Sequence, residues 1–121
     1  MNSVAAFALA VFLAVVGLAH FVVPGYFRGL VPSWLRGARW LVAGSGAAEI
    51  VLAVLVLLPD TRAAGGWAAA ALITSYLASH LDALTRTRPD KTHRLERPVG
   101  VVARLVVNLL YIAWAVAVAT S

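Results

Sequence analysis

Four long apolar runs, separated by short polar segments, make up most of the chain. They cover residues 3–23, 40–58, 66–84 and 99–119. Each run is close to the roughly 20 residues that an α-helix needs to cross the hydrocarbon core of a bilayer. A backbone in lipid must satisfy its own hydrogen bonds, so runs of this length predict transmembrane helices. The pattern therefore predicts one all-α domain over residues 1–121, an integral membrane four-helix bundle.

The segment between the first and second runs mixes aromatic and aliphatic residues with arginines. Residues of both kinds suit the headgroup layer of a membrane, where an amphipathic helix can lie flat. We therefore expect a short interfacial helix within residues 24–39. Trp34, Arg36 and Arg39 are the candidates for contact with lipid headgroups or with a partner subunit, and the sequence leaves both roles open.

The composition agrees with a membrane protein and excludes several other classes. Hydrophobic residues make up 62% of the 121 residues and charged residues only 12%, whereas soluble domains are about 45–50% apolar. A small soluble domain is mostly surface and could not bury so much apolar side chain. The chain has no cysteine, which excludes thiol nucleophiles, disulfides and thiolate-bound metals.

The basic residues are concentrated in the two loops that a four-span topology places on the same side. These loops, residues 24–39 and 85–98, hold eight of the ten lysines and arginines. The eight are Arg28, Arg36, Arg39, Arg86, Arg88, Lys91, Arg94 and Arg97. Because basic loops stay in the cytoplasm, we expect both termini to lie outside it. The net charge of +5 is thus a topology signal, and no nucleic-acid partner is expected.

Six polar residues interrupt the apolar runs and are the candidates for an intramembrane pocket. They are His20, Glu49, His80, Arg104, Asn108 and Tyr111. Ionisable groups among lipid tails are costly, so each is a functional-site hypothesis. A helix rises about 1.5 Å per residue, which places the four ionisable members in the cytoplasmic half of the membrane. One shared cavity is therefore expected.

Glu49 on the second run and Arg104 on the fourth are expected to pair. Either charge alone would be costly in apolar surroundings, and together they offset each other. Two interpretations stay open: an ion pair that fixes helix register, or a pocket where Arg104 holds a carbonyl or anionic group while Glu49 exchanges a proton. His20 and His80 are expected at the mouth of this cavity. Their spacing lacks an HxxxH or ExxH pattern, so no metal site is predicted.

The third run ends in a more polar stretch. Asp82 lies two residues after His80 and four residues before Arg86. Residues four apart share a helix face, whereas residues two apart do not. A surface ion pair between Asp82 and Arg86 is therefore expected, rather than a place for Asp82 in the pocket.

Several short motifs carry a family resemblance. They are Gly17-Leu-Ala-His20-Phe-Val-Val-Pro24, Val31-Pro32, Ser45-Gly46, Ala48-Glu49-Ile50 and Leu57-Leu58-Pro59. With these motifs the chain resembles the small DoxX-like membrane proteins over nearly its whole length. The resemblance implies a bacterial four-helix bundle, similar to membrane subunits of thiosulfate–quinone oxidoreductases and to accessory proteins of redox-stress complexes. Around His80 the chain departs from the family pattern, which commonly has an asparagine there.

The resemblance and the polar residues together give two functional hypotheses. The first is an accessory subunit of a membrane redox complex, in the bacterial inner membrane, with a quinone or a lipid in the intramembrane pocket. The alternative is a stand-alone enzyme or carrier for a lipid or a sterol-like molecule. Small-residue helix faces would also allow a homo-oligomer, since small residues let helices approach closely. No particular reaction follows from the sequence.

Overall fold

The computed structural model describes residues 3–32, 34–87, 90 and 97–121, and within these ranges the chain is helical and has no strand. The described residues form six α-helices, with one 3₁₀ turn at Pro59–Thr61. The helices are α1 (Ser3–Val22), α2 (Pro24–Leu30), α3 (Ala38–Leu57), α4 (Arg62–Ser75), α5 (Leu77–Arg86) and α6 (Pro98–Ala119). The prediction of an all-α fold is confirmed.

Three of these helices are long and apolar enough to cross a membrane. They are α1, α3 and α6, which correspond to the first, second and fourth apolar runs. Their length and composition agree with a lipid bilayer as the surroundings of the protein. Pro98 begins α6, where its missing N–H costs little because the first turn of a helix has no internal acceptor for it.

The third apolar run, predicted as one helix over 66–84, is two helices. α4 and α5 meet at a turn formed by Tyr76. Just before this turn, the Thr74 hydroxyl donates a hydrogen bond to the carbonyl of Ala70 at 2.6 Å. The Ser75 hydroxyl donates a hydrogen bond to the carbonyl of Leu72 in the same way. Hydroxyls that bond back along a helix tend to bend it. A four-span bundle, in which α4 and α5 cross the membrane together, stays a prediction.

A short helix occupies the segment between α1 and α3, where one was predicted. The last residue of α2 is tied to α5, because the Ser79 hydroxyl donates a hydrogen bond to the carbonyl of Leu30. Gly37 precedes α3 with a φ of 72°, a left-handed conformation that glycine adopts without steric cost. The position of α2 on the membrane surface stays a prediction.

The apolar core lies where α1, α3, α4 and α6 meet. α1 packs mainly against α3, and α4 packs against both α3 and α6. Leu9, Val56 and Val118 are fully buried there, one from each of α1, α3 and α6. The indole of Trp114 on α6 donates a hydrogen bond to the carbonyl of Ala5 on α1 at 3.1 Å. This core joins the three apolar helices into one unit that holds the polar side chains in place.

Glycines allow the closest helix contacts. A Cβ at Gly66 on α4 would lie 2.8 Å from the Cβ of Ala119 and 2.9 Å from its backbone nitrogen. A Cβ at Gly46 on α3 would lie 2.6 Å from the Cβ of His20. Both distances are too short for real Cβ contacts, so each glycine sets the spacing of two helices. Gly44, on the same helix as Gly46, has open space around it instead.

Two of the sequence predictions concern the end of α5 and the loop that follows. Asp82 and Arg86 form the predicted ion pair, with 2.9 Å between Oδ2 and Nη2, but the pair lies only partly at the surface because the Asp82 side chain is 8% exposed. Arg88, Lys91 and Arg94, on which the topology prediction partly depends, lie outside the described residues.

We expect Gly66→Ala to destabilise the protein, because the added methyl group must push α4 away from the α6 backbone at Ala119. Overpacking of this kind costs about 1–3 kcal/mol and would lower the midpoint of thermal unfolding in detergent. Gly44→Ala is the matched control, since the same change on a helix face with open space should not lower the midpoint. An equal loss in both variants would contradict the close α4–α6 contact.

Candidate functional site

Glu49 lies in the middle of α3 and is only 2% exposed. Its Oε1 accepts a hydrogen bond from the Tyr76 hydroxyl at 2.7 Å, and its Oε2 lies 3.5 Å from Nδ1 of His20. We call His20, Glu49 and Tyr76 the polar cluster. A carboxyl group is tolerated in the interior only where such partners replace water. The cluster therefore fixes α1, α3 and the α4–α5 turn at one point.

The imidazole of His20 is held in one orientation. Its Nδ1 lies 2.7 Å from the carbonyl oxygen of Val16, one turn earlier in α1. A carbonyl oxygen only accepts hydrogen bonds, so Nδ1 carries the hydrogen and Nε2 of the neutral ring is an acceptor. The ring stacks on Phe27 of α2, with centroids 3.9 Å apart and 16° between the planes. These contacts fix both the tautomer and the plane of the ring.

The carboxyl oxygen that faces His20 lacks a hydrogen-bond donor. Oε2 of Glu49 is buried and receives no hydrogen bond from the part of the chain that the structure describes. The reason is that the N–H of His20 points at Val16. Contact between Oε2 and the imidazole is therefore electrostatic, and it becomes an ion pair when the ring gains a proton.

A groove of about 260 Å³ opens beside the polar cluster. We call it the His20 groove. It lies between α1, α2 and α3 and is lined by His20, Phe21, Pro24, Arg28, Arg39, Val42 and Ala43. Most of these side chains are apolar, and the polar ones are a buried imidazole and two exposed guanidinium groups. Apolar walls with a few placed polar groups suit the polar head of an amphiphilic molecule.

In place of the predicted pair with Arg104, Glu49 has His20 and Tyr76 as its partners. α3 packs against α1 and α4, whereas α6 packs mainly against α4 and α5. A similar depth in the membrane therefore does not bring Glu49 and Arg104 together, because depth does not say which helices are neighbours.

Three of the predicted pocket residues, His80, Arg104 and Asn108, lie together in a second polar group. Asn108 and Arg104 both lie close enough to act electrostatically on the imidazole of His80. The Asn108 amide also donates a hydrogen bond to the carbonyl of Ile73 at 3.3 Å. Arg104 lines a small cavity of about 40 Å³ together with Arg86. The candidates thus form two groups rather than one shared cavity.

The remaining predicted residues occupy other places. Tyr111 packs on the ring of Phe12, with centroids 4.5 Å apart, where α6 contacts α1. Trp34 and Arg36 are exposed in the segment between α2 and α3, and their contact with lipid or with a partner stays a prediction. Arg39 is the one of the three interface candidates that lines the His20 groove.

Tyr76 and Arg28 are site residues that the sequence analysis did not single out. The signal for Tyr76 is the run Thr74-Ser75-Tyr76, three successive hydroxyl groups in the middle of an apolar stretch. The signal for Arg28 is its position four residues after Pro24. Residues four apart share a helix face, and Pro24 and Arg28 both line the groove.

Comparison with protein families gives one match. A family model described as a domain of unknown function (DUF8561) matches residues 9–119. The chain belongs to the DUF8561 family. The matched range contains the whole polar cluster and the whole His20 groove, so both lie in the DUF8561 domain. The chain matches no curated protein and no solved structure, and its resemblance to DoxX-like proteins stays a prediction.

In this DUF8561 chain we expect Tyr76→Phe to lower stability, because Glu49 stays buried while its carboxyl group loses a hydrogen-bond donor. An unsatisfied buried acceptor costs about 1–3 kcal/mol, which thermal unfolding in detergent can measure. Tyr26→Phe is the matched control, since Tyr26 is an exposed residue of α2. If the two variants unfold at the same midpoint, the hydrogen bond from Tyr76 to Glu49 does not support the fold.

Proposed function

We propose that this protein is an accessory subunit of a membrane redox complex and holds the head of a quinol or quinone in the His20 groove. The observation that carries the proposal is the fixed tautomer of His20. With its Nδ1–H committed to Val16, the neutral ring offers Nε2 as an acceptor beside an apolar groove. A ring hydroxyl, such as that of a quinol, is a donor that matches this acceptor.

The polar cluster supports a role in proton transfer at this head. A quinol hydroxyl that donates to Nε2 of His20 can pass its proton to the ring, which then becomes an imidazolium ion. The carboxylate of Glu49, 3.5 Å from Nδ1, stabilises that ion. The hydrogen bond from Tyr76 keeps the carboxylate in place. In this proposal the quinol becomes a quinone by passing two electrons to a redox partner in the same complex, one proton to His20 and the proton of its second hydroxyl to water.

The setting of the subunit is part of the proposal. The distribution of basic residues favours the cytoplasmic side for α2 and for the start of α3, with both termini on the other side. The His20 groove would then open toward the inner leaflet of a bacterial inner membrane. Trp34 and Arg36, exposed in the segment between α2 and α3, are the side chains proposed to contact the partner subunit.

A second candidate function is a stand-alone carrier or enzyme for a lipid or sterol-like molecule. The same Nε2 acceptor fits any lipid hydroxyl, and the apolar lining of the groove does not by itself select a quinol ring. The molecule that remains bound after purification in mild detergent distinguishes the two candidates, because a quinone and a sterol or glycerolipid differ in mass and in ultraviolet absorption.

We expect His20→Gln to weaken the binding of a short-chain quinol to the purified protein by about tenfold or more, because the flexible glutamine amide does not hold an acceptor where the fixed imidazole does. Equilibrium titration in detergent measures the dissociation constant of the quinol. A second titration with the corresponding quinone measures how much more tightly the quinol binds. His80→Gln is the control, since His80 belongs to the second polar group and is outside the His20 groove.

If the proposal is right, the unaltered protein binds the quinol more tightly than the quinone. Equal quinol affinity in the His20→Gln variant and in the unaltered protein, with both variants shown to be folded by their thermal unfolding, would rule out a contact at His20. A bound sterol or glycerolipid in place of a quinone would favour the second candidate.

A further inference from the structure

Arg28 and Arg39 place two positive charges at the mouth of the His20 groove. They come from α2 and α3, and both side chains are exposed. Their contacts in the described part of the chain are with neutral groups. Arg28 donates to the carbonyl of Pro24 at 3.4 Å, and the guanidinium of Arg39 lies 5.4 Å from the centre of the Trp40 ring. None of the residues that line the groove is acidic, so the mouth is positively charged.

The start of α3 adds to this positive field. α3 is a 20-residue helix with no acidic residue in its first turn and no side-chain cap at Gly37. Because the N-terminus of a helix carries a partial positive charge, a cation there is unfavourable and an anion is favourable. Arg39 is the second residue of α3. An anion bound at the mouth of the groove would offset this repulsion as well as contact the guanidinium groups.

Exposed aromatic side chains on the segments that form the groove favour a position for it at the level of lipid headgroups. Tyr26, Trp34 and Trp40 are all exposed and belong to α2, to the segment after it and to the start of α3. Tyrosine and tryptophan favour the interface between the hydrocarbon core and water. The phosphates of the surrounding lipids lie in the same layer, so they are the anions nearest to Arg28 and Arg39.

We infer that Arg28 and Arg39 together bind the phosphate of an anionic phospholipid. Guanidinium groups bind phosphate through paired N–H donors in a planar fork. Phe21, Val42 and Ala43 line the same groove as an apolar wall, along which an acyl chain can lie. A free phosphate would leave this wall uncovered, which is the reason for assigning a lipid. The site shares the His20 groove with the contact proposed at His20, but it uses different side chains and does not depend on that contact.

The inference is tested with the full chain in mild detergent, by native mass spectrometry with phosphatidylglycerol, with phosphatidylcholine and with inorganic phosphate. We expect one phosphatidylglycerol molecule to bind about tenfold more tightly than phosphatidylcholine, because the choline cation of phosphatidylcholine offsets the charge of its phosphate and is repelled by the two guanidinium groups. Arg28→Gln and Arg39→Gln should each reduce this preference, and the double variant should abolish it. Arg36→Gln is the charge-matched control, because Arg36 is exposed between α2 and α3 but does not line the groove.

Three outcomes would overturn the inference. The first is an equal loss of preference in Arg36→Gln, which would mean that surface charge alone attracts the lipid. The second is inorganic phosphate that binds as tightly as phosphatidylglycerol and displaces it, which would make the ligand a free anion. The third is an unchanged preference in the double variant.

Two further measurements serve as controls. Because both arginines are exposed, the arginine variants should unfold at the same midpoint as the unaltered protein. The His20→Gln variant, in which quinol binding is lost, should keep its preference for phosphatidylglycerol.

Discussion

The burial of one carboxyl group constrains the rest of this structure. Glu49 is surrounded by apolar helices in a chain whose three longest helices have the length and composition of membrane spans. Removing a charge from water costs several kcal/mol unless partners replace the lost hydration. Those partners are His20 and Tyr76, from two other segments. The need to satisfy Glu49 therefore determines where α1, α3 and the α4–α5 turn meet.

The same constraint connects the fold to the proposed chemistry. His20 is bound to Val16 through Nδ1, stacked on Phe27 and placed 3.5 Å from Glu49. A ring held in this way keeps Nε2 as an acceptor, with the carboxyl group of Glu49 beside Nδ1. The glycine at position 46 allows this approach, because any side chain there would collide with His20. Close helix packing and the orientation of the imidazole thus depend on the same contact.

Much of the fold could be predicted from the sequence, because hydrophobic length is a strong signal in a membrane protein. The runs that became α1, α3 and α6 were identified with nearly the observed ends, and the Asp82–Arg86 pair followed from helix periodicity. The break at Tyr76 was not predicted, because mean hydropathy does not register hydroxyl groups such as those of Thr74 and Ser75, which bond back along the helix just before the break. The partner of Glu49 was also missed. Periodicity gives the face of a helix and the rise per residue gives depth, but neither gives the order in which helices pack.

The most direct test of the central claim compares Tyr76→Phe in two backgrounds, the unaltered protein and the Glu49→Met variant, by thermal unfolding in detergent. If the Tyr76 hydroxyl serves the buried carboxyl group, its removal destabilises the unaltered protein but is neutral or stabilising once Glu49 is replaced by an apolar side chain, and the two effects differ by about 0.5–3 kcal/mol. The same loss of stability in both backgrounds would contradict the claim that Glu49 organises this structure.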